Sequence, residues 1–196
     1  MNRALQTALI SLVTNIAYSA YYLVFAVLSG SWWMLTLGSY YLILSLVRFV
    51  VLQTKGKERF IVKFTGVMLI ILSIPLVGTV VLSVIQERGQ EFHMVLMIAM
   101  AAYAFTKITL ATVNLIKSRR SSSATLITLR NIAFADAFVS IFALQRSMLV
   151  SFEGMSEAEI VIMNFALGSA VCVVVFLLGI NLIRSKNILF SQLNNI

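Results

Sequence analysis

Charge is scarce in this chain. Charged residues fill 11% of 196 positions, less than half of the roughly 25% that a soluble domain carries. That shortage excludes a water-soluble globular domain, a disordered chain and a coiled coil. One cysteine excludes a disulfide scaffold and a cysteine-based metal site. Cys172 reads instead as a small packing residue. The one histidine, His93, falls near an expected membrane interface and reads as an interfacial polar residue. No H-E-x-x-H, G-x-S-x-G or Walker A pattern occurs, so metalloprotease, serine-hydrolase and NTPase chemistry have no anchor. An intramembrane protease needs paired carboxylates, a Ser/His pair or metal-binding histidines, and the spans hold one aspartate, Asp136. A lone carboxylate is a thin basis for acid–base catalysis. The expectation is no enzyme, no cofactor and no metal.

What the chain has is apolar length. Hydrophobic residues make up 60% and the mean hydropathy is +0.98. A helix needs about 20 mostly apolar residues to cross a bilayer. Residues 4–47 contain no Asp, Glu, Lys or Arg, which is enough for two spans around the turn Ser29-Gly30-Ser31. Trp32 and Trp33 follow that turn, where aromatic rings favour the interface. Residues 64–86 and 160–183 are also free of charge. The pattern predicts an all-α integral membrane protein with six transmembrane helices, at 5–28, 32–53, 61–86, 92–116, 124–149 and 158–183, in a single domain 1–196. The runs are continuous rather than alternating, which argues against a β-barrel. Arg3, the run after it and Ala17-Tyr18-Ser19-Ala20 resemble a secretory leader, but the apolar stretch continues well past Ala20. Pro75, the only proline, falls inside the third span and should kink it.

Orientation follows from the basic residues, which stay on the cytoplasmic side. Arg3, Lys55, Lys57, Arg59, Lys63, Lys117, Arg119, Arg120, Arg184 and Lys186 share one side, with Glu58 the single acid among them. The other side carries Arg88 against Glu87, Glu91, Glu153, Glu157 and Glu159. Both termini are therefore expected in the cytoplasm (N-in/C-in). The net charge of +8 fits basic loops on anionic lipid headgroups. No loop is long enough for a nucleic-acid module, and Lys117–Ser123 reads as a solvated connection.

The two halves share a faint likeness. Ile16-Ala17-Tyr18 aligns with Ala101-Ala102-Tyr103, and Ser45-Leu46-Val47-Arg48 with Ala143-Leu144-Gln145-Arg146. Lys63-Phe64-Thr65-Gly66 aligns loosely with Asn164-Phe165-Ala166-Leu167-Gly168. This would be a 3+3 inverted repeat, a common transporter plan; chance likeness between apolar segments is the alternative.

Five ionisable residues lie inside the spans: Arg48, Lys107, Arg130, Asp136 and Arg146. Each costs roughly 2.5–3.5 kcal/mol to insert at the helix centre. At about 1.5 Å per residue, Arg48 and Arg146 lie close enough to helix ends to snorkel. Arg130 is intermediate. Lys107 and Asp136 are near the midplane, on helices joined by a short loop, and an ion pair between them is expected, with Asn15 at similar depth. Helical spacing extends this into four polar stripes: Ser11, Asn15, Tyr18 and Tyr22; Tyr41, Ser45 and Arg48; Tyr103, Lys107, Ala111 and Asn114; Asp136, Ser140, Ala143 and Ser147. The stripes permit a polar interior. Interhelical hydrogen bonding that merely holds the bundle is the competing reading. Gly168 and Cys172 would let helices approach closely.

Ser31-Trp32-Trp33, Tyr40-Tyr41, Arg48-Phe49 and Ala143-Leu144-Gln145-Arg146 resemble uncharacterised six-span integral membrane proteins of Gram-positive bacteria, over most of the chain. The resemblance implies a bacterial cell (plasma) membrane and no particular activity. In size and span count the chain is also similar to the substrate-binding membrane subunits of energy-coupling-factor vitamin transporters, in layout alone. The leading expectation is a transporter or substrate-binding transport subunit. Four intramembrane bases to one acid favour a small anionic solute or lipid headgroup, with Asn15, Arg48, Tyr103, Lys107, Arg130 and Asp136 as binding residues. The alternative is a non-transporting interaction or assembly subunit. Expected partners are the lipid bilayer, that solute and a homo- or hetero-oligomer, with no nucleic acid.

Overall fold

A computed structural model describes residues 3–54, 56–85, 98, 101–102, 104–109, 111–113, 123–151 and 155–184. Among them every regular element is a helix: α1 Arg3–Ser29, α2 Trp32–Gln53, α3 Glu58–Ile85, the short α4 Ala104–Val113, α5 Ala124–Ser151 and α6 Glu157–Arg184. All but α4 are long and apolar enough to cross a bilayer. Large apolar side chains point out of the bundle along them, including Ile10, Val13 and Ile16 on α1 and Ile162, Phe165 and Val173 on α6. In water that surface would be untenable; in lipid it is the solvated one. The protein is an α-helical membrane protein. The expected span 92–116 lies largely outside the described residues, and α4 is its described part.

The helix limits have local causes. Gly30 sits in the left-handed region at φ 64°, which a glycine adopts freely, and turns the chain between α1 and α2. Ser31 then caps α2, its Oγ accepting from the Met34 N–H at 3.4 Å. Gly56, at φ 75°, precedes α3. At the start of α6, Glu159 accepts from the Ser156 N–H at 2.8 Å while the Glu159 N–H donates to Ser156 Oγ at 3.4 Å. That reciprocal pair is a capping box. Helix α3 continues through Pro75.

Helix α1 packs on α2, α2 on α3, and α3 on α6, with α5 laid against α2, α3 and α6. Backbones meet closest between α3 and α6. A Cβ on Gly66 would sit 2.9 Å from the Gly179 carbonyl oxygen, and one on Gly179 2.8 Å from that of Gly66. Farther along the same seam, a Cβ on Gly168 would sit 2.5 Å from Val80 Cγ2. Gly168 thus permits close packing as expected, while Cys172 is half-buried at the margin of the core.

Candidate functional site

Four helices contribute to one buried polar knot. Helix α5 brings Asp136, 1% exposed, and α4 brings Lys107. Lys107 Nζ lies 2.6 Å from Asp136 Oδ1, the ion pair that their depth predicts. Helix α1 brings Asn15, fully buried. Its Nδ2 donates to Asp136 Oδ2 at 2.8 Å and its Oδ1 accepts from Lys107 at 2.8 Å. The amide therefore bridges both charges.

Helix α2 brings Arg48, where the structure departs from expectation. Arg48 does not snorkel. It is 1% exposed, its Nη2 reaches Asp136 Oδ2 at 3.4 Å, and its Nη1 donates to Ser11 Oγ. The buried Asp136 carboxylate gives the guanidinium an opposite charge and an acceptor inside the bundle, so Arg48 has a partner there and does not need the interface. Arg146, the other residue expected to snorkel, is 4% exposed. Its Nη1 donates to the Ser83 carbonyl at 2.8 Å, and its guanidinium carbon lies 4.9 Å from the centre of the Trp33 ring.

Lys107, Ser140 and Ser11 each place every hydrogen they carry. An ammonium has three N–H donors, and Lys107 directs them at Asp136, Asn15 and Ser140 Oγ, the last at 3.2 Å. The single hydroxyl hydrogen of Ser140 goes to the Asp136 carbonyl at 2.8 Å, so Tyr41 must be the donor in its 3.1 Å contact with Ser140. Ser11 accepts from Arg48 and gives its own hydrogen to Asp136 Oδ2 at 3.5 Å. Polar groups this deep are costly when unsatisfied; the Lys107 ammonium, the Asp136 carboxylate and the Ser11 and Ser140 hydroxyls all have partners. With all three groups ionised the knot carries one net positive charge.

The stripes on α1, α2 and α5 converge here, through Ser11, Asn15, Arg48, Tyr41, Asp136 and Ser140. Arg130 is half-buried on α5, six residues before Asp136. That spacing is about 9 Å along the axis and a third of a turn around it, so Arg130 belongs to another level and face. Tyr103 and Asn114 lie outside the described residues. Sequence reasoning passed over the Arg146–Trp33–Ser83 cluster. Trp33 in an apolar run read only as an interfacial ring, although Arg146 and Trp33 both stand within two turns of a helix end.

Above Asp136, aromatic rings take over. Tyr41 lies 5.0 Å below Lys107 Nζ. It stacks on Tyr22 at 6.0 Å, and Tyr22 meets Trp33 edge-on at 6.3 Å. Between the rings is a void of about 10 Å³, room for the centre of one water, lined by Tyr18, Tyr22, Tyr41, Ser140 and their apolar neighbours. Comparison of the chain with known protein families, curated proteins and solved structures finds no match.

Proposed function

We propose that the chain crosses a bacterial plasma membrane six times, with both termini cytoplasmic, and moves a small anionic solute through the bundle. The orientation rests on the ten basic residues of one loop set against the single base of the other. One observation carries the transport reading: two cations, Lys107 and Arg48, converge on one carboxylate deep in the membrane. Intramembrane charges are expensive and mark solute or ion paths. An entering anion would compete with Asp136 for Lys107 and Arg48. Because the knot ties α1, α2, α4 and α5, loosening it frees four helices to shift together.

The test is flux. Purified protein in liposomes should carry iodide or acetate, and Lys107→Met and Asp136→Asn should each lose at least tenfold of that rate while the protein stays folded. Unchanged flux of both anions in both folded variants overturns the proposal.

A second reading has its own observation. The knot is densely hydrogen-bonded and the void beside it admits one water, as in an assembly subunit whose polar groups only lock helices. That reading expects no flux from the native protein and a Lys107→Met/Asp136→Asn variant that still binds its membrane partner.

A further inference from the structure

Helices α3 and α6 run antiparallel. Gly66 closes on Gly179 and Leu182, and Val80 on Gly168, so the facing residue of α6 falls in number as α3 advances. The seam therefore brings the start of α3 and the end of α6 to one end of the bundle. Ile183 lies against Gly66, and Arg184 is the next residue. Lys63 stands three residues before Gly66, about 4.5 Å farther toward the same end. Lys63 and Arg184 thus share one level. Arg59 lies seven residues before Gly66, about two turns out on the same face of α3.

These three side chains are exposed, and among the described residues none of them enters an ion pair. Glu58 is the one acid in the segments 54–63 and 184–196. The surroundings are apolar on the lipid side. Phe60, Val67, Ile71 and Ile74 form the outward stripe of α3, and Lys63 falls on that stripe between Phe60 and Val67. Phe60 is held there by stacking on Phe64 at 5.5 Å. A lysine at the end of a lipid-facing stripe lays its stem on acyl chains and sets its ammonium at headgroup depth. Positive charge from two helices at one level, above an apolar stripe, complements a molecule with an anionic head and a hydrocarbon tail.

We propose that this end of the α3–α6 seam binds one anionic phospholipid, its phosphate held by Lys63 and Arg184 with Arg59 beside them, and an acyl chain lying along the outward stripe of α3. Guanidinium and ammonium donors both suit phosphate oxygens, and basic pockets between membrane helices take anionic headgroups in this way. Such a site differs from the diffuse attraction of basic loops to an anionic leaflet. Diffuse attraction depends on how many charges there are, and a site depends on where they stand. The proposal goes beyond the transport reading and stands without it.

Native mass spectrometry of the detergent-purified protein tests this, with phosphatidylglycerol and phosphatidylcholine of the same acyl chains as probes. One phosphatidylglycerol should be retained per chain, at least tenfold more tightly than phosphatidylcholine. Lys63→Gln/Arg184→Gln should weaken that retention at least tenfold, and Lys63→Arg by no more than about threefold. Arg3→Gln removes the same charge as Lys63→Gln but from α1, which packs on α2, and should leave retention within about twofold. If the double variant fails to fold, Lys63→Gln against Arg3→Gln decides alone. Equal retention of the two lipids, or equal losses in Arg3→Gln and Lys63→Gln, overturns the site. Displacement of phosphatidylglycerol by millimolar inorganic phosphate overturns it too, because the ligand would then be the free anion and not a lipid.

Discussion

Asp136 accepts from Lys107, Asn15, Arg48 and Ser11, residues of three other helices. Removing the carboxylate would leave two buried cations facing each other. Asp136→Asn should therefore destabilise the protein by about 3–5 kcal/mol, the cost of breaking a buried pair by removing one partner, read from unfolding in detergent. Asn15→Ala strands a Lys107 donor and an Asp136 lone pair and should cost about 1–3 kcal/mol. Ser45→Ala makes a control at similar burial. Ser45 Oγ donates to the Tyr41 carbonyl of its own helix, at 2.7 Å, a back-bond that does not stabilise a helix, so its loss should cost less than that of Asn15. The Lys107–Asp136 pair was readable in the sequence because depth follows from residue count alone. Arg48's inward turn was not. Spacing on α2 put Arg48 on one stripe with Tyr41 and Ser45, but whether a long cation on that stripe snorkels or turns in depends on whether the stripe meets Asp136, which is a matter of helix packing.

At the scale of elements, apolar runs set the limits of the five long helices to within three residues, from 5–28 expected against Arg3–Ser29 to 158–183 against Glu157–Arg184. The Ser156/Glu159 box was present as a pattern, yet hydropathy alone placed that boundary. The α3–α6 seam is set by glycine, and two substitutions on α3 separate its causes. Gly66→Ala drives a Cβ to 2.9 Å from the Gly179 carbonyl oxygen and should cost about 1–3 kcal/mol as overpacking. Gly78→Ala meets nothing within 4 Å and should gain about 0.5–1 kcal/mol from helix propensity. Thermal unfolding of both variants checks the contrast. Equal effects would mean that backbone approach does not govern the seam.

For the whole molecule, the charge asymmetry of the loops predicts sidedness. In a Cys172→Ser background, Ser29→Cys should react with a membrane-impermeant thiol reagent added to intact cells, and Ser121→Cys should react only after lysis. The opposite pattern would invert the topology. At this scale the sequence reveals the apolar surface, because that is a sum over many residues. Convergence of the stripes is a property of helix packing. It emerges only when α1, α2, α4 and α5 are placed around Asp136.

The account turns on ionised groups facing one another inside the bundle, and the most direct measurement of that is a double-mutant cycle on Lys107→Met and Asp136→Asn. The predicted result is a double variant more stable than the sum of its parts, by a coupling of about 2 kcal/mol, in the range for residues in direct contact. Additive losses, with no coupling, would contradict the buried pair and the site built on it.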